Sequence, residues 1–84
     1  MNLVFLNGKI ISEIEFRFII ESKRMAMIEF LIEVDKNIIK IKAYDEVADY
    51  IYSRFNIDDR ISIYGSLKKK EVNVIEIEKE INSI

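Results

Sequence analysis

Hydrophobic and polar residues alternate along most of this chain, and each break in the alternation marks an element boundary. In LVFLNGKII, Val4, Leu6, Gly8 and Ile10 share one face, while Leu3, Phe5, Asn7 and Lys9 share the other. After Ser12 and Glu13, IEFRFII sets Ile14, Phe16, Phe18 and Ile20 against Glu15, Arg17 and Ile19. A period of two means half-buried strand. The spacing therefore predicts one long first strand, or two halves joined by a bend. Gly8 suits a bend or a close backbone approach.

The polar stretch ESKR at 21–24 reads as a turn. A second strand follows, with Ala26, Ile28, Phe30, Ile32 and Val34 on its core face and Met27, Glu29, Leu31 and Glu33 outward. DKN at 35–37 is a short turn in which Asn37 suits a left-handed backbone. In the third strand Ile39, Ile41 and Ala43 oppose Ile38, Lys40, Lys42 and Tyr44. The period then changes. Val47, Ala48, Ile51 and Phe55 fall at helical spacing, with Asp45 as a candidate N-cap and Glu46 and Asp49 suited to the positive end of the helix dipole. NIDD at 56–59 ends that helix. The fourth strand places Ile61, Ile63 and Leu67 inward, and KKKE at 68–71 turns the chain into a last strand. In VNVIEIEKEI neither face alone reads as inward.

The order is β-β-β-α-β-β: five strands, with one helix between the third and fourth. That is the order of an OB-fold barrel. The fold expectation is an all-β, five-stranded OB-fold barrel formed by a single domain over 1–84.

Composition narrows the function. The chain has 84 residues, of which 50% are hydrophobic and 33% charged, and a formal net charge of −2. With no cysteine and no histidine, disulfides, thiolate chemistry and the commonest general base and metal ligand are all excluded. The serines have no base beside them in any motif, and no glycine-rich phosphate loop occurs. Neither an enzyme, nor a metal site, nor a cofactor is expected. No apolar run is long enough to span a membrane or serve as a signal peptide, so a cytoplasmic setting is the default. The acidic balance does not by itself favour nucleic acid, which places the weight on where the cations sit.

The segments NLVFLNGKI, EFRF (15–18), KIKAYDEVADYIYSRF and DRISIYGSL occur in the order and spacing of the OB domain of bacterial single-stranded DNA-binding proteins. The chain resembles that family, including its short primosomal replication type. IEIEKEINSI can be laid on the family's final strand, with Ile77, Ile81 and Ile84 at its apolar positions. The resemblance implies that Tyr44 stacks on a base and that Arg17 and Lys40 stand at or beside phosphate-contacting positions. It also implies a role in DNA replication and a dimer joined through the first strand. The chain departs from the family in having no tryptophan, short second and fourth hairpin loops, and no acidic tail after the last strand. A short, tailless dimer of the primosomal type is the nearer analogy.

An OB barrel binds on the face of its second and third strands, between the loop that follows strand one and the loop that joins strands four and five. Here the first of these loops carries Lys23 and Arg24, and the second Lys68, Lys69 and Lys70. With Arg17, Lys40 and Lys42, eight of the thirteen basic residues would gather around one cleft, beside Tyr44. The expected function is binding of single-stranded nucleic acid, DNA before RNA, with no membrane or small-molecule ligand. The alternative is a protein-interaction or oligomerisation domain that keeps the barrel and has few nucleic-acid contacts. Glu29 and Glu33 oppose phosphate on the same face. Leu3 and Phe5, apolar on an outward face, predict the interface of a homodimer or higher homo-oligomer.

Overall fold

Ser12 and Glu13 mark the bend in the first strand, and Ser12 ties it down. The Leu31 amide donates to Ser12 Oγ at 2.8 Å, and the Ile11 amide donates to the Leu31 carbonyl at 2.9 Å. The computed structural model describes residues 2–19 and 25–80. Within them the two halves of the first strand are β1 (Leu3–Ile10) and β2 (Glu15–Ile19). They are followed by β3 (Met25–Val34), β4 (Asn37–Tyr44), α1 (Asp45–Arg54), β5 (Arg60–Lys68) and β6 (Glu71–Lys79).

The sheet runs β1-β5-β6-β4-β3-β2 and closes through β1–β3 pairing at Lys9–Glu33 and Ile10–Ile32. Among the described residues only β4 and β6 pair in parallel, with α1 and β5 between them in the chain. Counting the bent β1–β2 as one strand, this is the closed five-stranded barrel that the alternation predicts.

The core is built from strand isoleucines. Ile10, Ile28, Ile32, Ile41, Ile61 and Ile63 are fully buried, and α1 plugs the barrel with Ala48 and Ile51, joined by Phe55 just past its end. β-Branched side chains suit the pleated surface, and each one buried contributes roughly 1.5–3 kcal/mol. Gly8 serves close approach, not the bend itself. A Cβ at that position would lie 2.6 Å from the Glu33 carbonyl oxygen. A Cβ on Gly65 would likewise run into the Asn73 carbonyl oxygen.

Local chemistry departs from the sequence expectations at several points. Phe18 shares the inward phase of Phe16 but is 69% exposed, since it lies past the end of the core with its ring edge-on to Phe16 at 5.3 Å. Leu67, also in phase, is 40% exposed at the rim. Asn37 begins β4, and the left-handed residues of that turn are Asp35 (φ 48°) and Lys36 (φ 70°). Asp45 does not cap α1. It sits in the left-handed region at φ 52°, and its carboxylate accepts from the Ala26 amide at 3.2 Å, tying the helix start to β3.

β6 has no single inward face because it carries a bulge. Gly65 pairs with Val74 and Tyr64 with Glu76, which leaves Ile75 unpaired. Val72 and Val74 point inward before the bulge and Ile77 after it. Ile20, Ile81 and Ile84 lie outside the described residues.

Candidate nucleic-acid interface

The outer face of β2, β3 and β4 is set by strand register. Arg17, Met27 and Tyr44 lie in one line across it. Glu15, Glu29, Lys42 and Asn73 form the next, and Leu31, Lys40, Glu71 and Lys68 the third. The face therefore brings together Arg17, Lys40, Lys42 and Tyr44, and the β5–β6 hairpin with Lys68, Lys69 and Lys70 extends from its edge. Lys23 and Arg24 lie outside the described residues.

Met27 is not the exposed apolar residue that alternation suggests. It lies between Arg17 and Tyr44 in register and is only 7% exposed. Leu31 and Tyr44 are half-buried.

The cations of this face are paired. Arg17 lies 2.9 Å from Glu15 and 3.2 Å from Glu29. Lys40 lies 3.7 Å from Glu29 and 3.8 Å from Glu71, and Lys42 lies 3.1 Å from Glu71. The result is a ladder of alternating sign in which Arg17, Lys40 and Lys42 are matched by Glu15, Glu29 and Glu71. The hydrogen bond to Glu71, reinforced by that carboxylate's charge, raises the Lys42 pKa above the ordinary lysine value of 10.5. A groove of about 420 Å³ opens beside the bend, with Glu13, Glu15, Arg17, Glu29 and Lys40 among its walls.

The hairpin lysines differ. All three are exposed, and among the described residues none pairs with a carboxylate. Lys69 (φ 51°) and Lys70 (φ 68°) form a two-residue turn with both residues left-handed, a geometry that favours asparagine and glycine.

Sequence reasoning identifies Glu29 as an opponent of phosphate but passes over Glu71. Glu71 sits at the end of the KKKE turn, and nothing local ties it to Lys40 and Lys42. Only the parallel β4–β6 pairing does so.

No protein-family model matches the chain, and no curated protein matches its sequence. Solved structures do match. The SSB domain of a Synechococcus protein is similar, with a TM-score of 0.79 at 16% identity over 92% of this chain and 93% of that one. The single-stranded DNA binding protein of Thermus aquaticus gives a TM-score of 0.84 at 18% identity.

The fold is that of single-stranded DNA-binding proteins.

PriB of Ralstonia solanacearum has the same OB barrel, with a TM-score of 0.79 at 11% identity over 96% of this chain and 99% of that one. This chain covers all of its own length but only 42% of the Thermus protein. At such identities the likeness is one of backbone.

Proposed function

We propose that this OB barrel binds single-stranded nucleic acid, DNA before RNA, through the outer face of β2–β4 and the β5–β6 hairpin. The observation that carries this reading is the lysine hairpin, unpaired among the described residues, which extends the line Leu31–Lys40–Glu71–Lys68 off the face that holds Tyr44. Free lysines neutralise phosphates with release of counterions, and an aromatic face stacks an unpaired base. Three solved structures of the same fold are of an SSB domain, a single-stranded DNA binding protein and PriB, which supports the reading.

The ladder sets the strength of the grip. A phosphate that approaches Arg17, Lys40 or Lys42 competes with a carboxylate already in place. Lys68, Lys69 and Lys70 therefore make the first contacts, with Lys23 and Arg24 as the expected basic residues on the other loop. Binding is modest and strongly salt-dependent.

The test is a titration of fluorescent oligo-dT at several salt concentrations. The expected result is saturable binding at low salt, with a log–log slope that flattens when Lys68, Lys69 and Lys70 are all replaced by alanine. No binding at tens of micromolar protein in low salt would sink the proposal.

A second reading has its own support. The alternating ladder and the exposed Leu3 (47%) and Phe5 (66%) suit a protein-interaction or oligomerisation domain. β1 pairs with β5 along its length but with β3 only at Lys9 and Ile10, so residues 3–8 present an unpaired edge within the described chain. A homodimer that joins these edges and buries Leu3 and Phe5 is compatible with either function. The protein has no expected catalytic role, and a cytoplasmic setting remains part of the proposal.

A further inference from the structure

A second groove, of about 360 Å³, lies between α1 and the C-terminal half of β6 and shares no residue with the cation ladder. Its floor includes Val47, Tyr50 and Ile75, and its rim carries Glu46, Glu76 and Glu78. The bulge creates this arrangement. Val74 is 8% exposed and Ile77 7%, yet Ile75 between them is 45% exposed. An unbroken strand in the phase of Val72 and Val74 would drive Glu76 and Glu78 into the core, so the bulge is needed to keep them in water. It does not require an isoleucine at the outward position, and that isoleucine faces the same groove as Tyr50, which is 41% exposed.

The electrostatics are one-sided. Among the described residues Glu46, Glu76 and Glu78 have no ion-pair partner. The nearby cations are committed: Lys79 lies 3.4 Å from Asp59 and donates to the Arg54 carbonyl at 3.1 Å. The Arg54 guanidinium lies 4.5 Å over the Tyr50 ring, which already shows that ring holding a cation. Three carboxylates against one arginine repel phosphate, so this groove does not extend the nucleic-acid face.

We propose that the α1–β6 groove docks a segment of a partner protein in which an apolar side chain is flanked by lysine or arginine. The apolar side chain covers Ile75, Val47 and Tyr50, and its basic neighbours meet Glu46, Glu76 and Glu78. Apolar burial supplies the hold, and the acidic rim selects the charge of the partner. This proposal stands apart from nucleic-acid binding.

The experiment is a two-dimensional NMR titration of the full chain with a short synthetic peptide of alternating lysine and leucine, alongside its glutamate–leucine counterpart. Saturable shifts confined to 46–50 and 75–78, seen with the basic peptide only, are expected. Ile75→Ser, and Glu76→Lys combined with Glu78→Lys, should each weaken binding by roughly tenfold or more. These positions are exposed, and thermal melts verify folding; Glu46→Lys on α1 repeats the test if a strand variant unfolds. Shifts elsewhere, equal binding of the acidic peptide, or indifference to all the substitutions would overturn the proposal. So would shifts at residues 46–50, on the helix side of the groove away from Phe5, that grow with protein concentration in the absence of peptide, which would assign the groove to a second copy of the chain.

Discussion

The Lys42 ammonium lies 3.1 Å from Glu71 Oε1, across the parallel pairing of β4 with β6. Glu71 also holds Lys40 at 3.8 Å, so one carboxylate restrains two cations of the candidate interface. Ion pairs at a protein surface contribute little to stability, about 0–1 kcal/mol each. Their larger effect here is on what else those cations can bind.

Glu71→Gln should therefore tighten binding of oligo-dT. Releasing Lys42, and leaving Lys40 only Glu29 as a partner, is expected to raise low-salt affinity by roughly threefold to tenfold and to steepen the log–log salt slope by about one. Glu29→Gln should act in the same direction through Arg17 and Lys40. Unchanged affinity in both variants would show that these cations do not meet phosphate.

The Lys42–Glu71 pair makes stability depend on pH at the alkaline end. Because the folded-state pKa of Lys42 is raised by its hydrogen bond to Glu71, the pair's contribution is complete below the ordinary value of 10.5 and is lost as pH rises through the folded value. The stability difference between the native chain and Lys42→Met should be constant from neutral pH to near that value, then shrink. Denaturant melts across the range measure it. A difference that widens with alkaline pH would contradict the assignment.

Tyr44 should behave as a stacking residue. Tyr44→Ala is expected to cost about 1–3 kcal/mol of oligonucleotide affinity, and Tyr44→Phe to keep most of it. Equal losses in the two variants would point to the hydroxyl instead of the ring. Since Tyr44 is half-buried, thermal melts are needed beside the binding curves.

The lysine turn sets stability against binding. Lys70 at φ 68° occupies backbone that glycine adopts freely, so Lys70→Gly should stabilise the barrel by about 1 kcal/mol while weakening nucleic-acid affinity. Lys36→Gly, at φ 70° in the β3–β4 turn, should stabilise similarly without touching affinity. Loss of affinity in Lys36→Gly would upset the assigned position of the site.

A dimer through β1 should come apart when charge is placed on it. Leu3→Glu with Phe5→Glu is expected to shift sedimentation equilibrium from dimer to monomer without unfolding, because both side chains are exposed in the single chain. A native chain that is monomeric at high concentration would rule the dimer out.

The barrel is legible in the amino-acid order because its causes are local. Alternating isoleucines specify strands, and the spacing of Val47, Ala48, Ile51 and Phe55 specifies one helix at the place where an OB barrel needs it. Turns are less legible. Asp35–Lys36 and Lys69–Lys70 adopt a geometry that neither pair advertises, because strand twist imposes it. The last strand resists reading by phase, since the bulge at Ile75 lets both phases be inward in turn.

The candidate site divides in the same way. Which cations reach the outer face follows from alternation, and Arg17, Lys40, Lys42 and the hairpin lysines are where that pattern puts them. Which of them are paired does not follow. Glu71 is remote in sequence from Lys40 and Lys42, and only the parallel pairing of β4 with β6 brings the three together. Coulomb attraction acts across space, so the chain order specifies the positions of the charges along each strand, while tertiary pairing decides which of them are left free to hold a ligand.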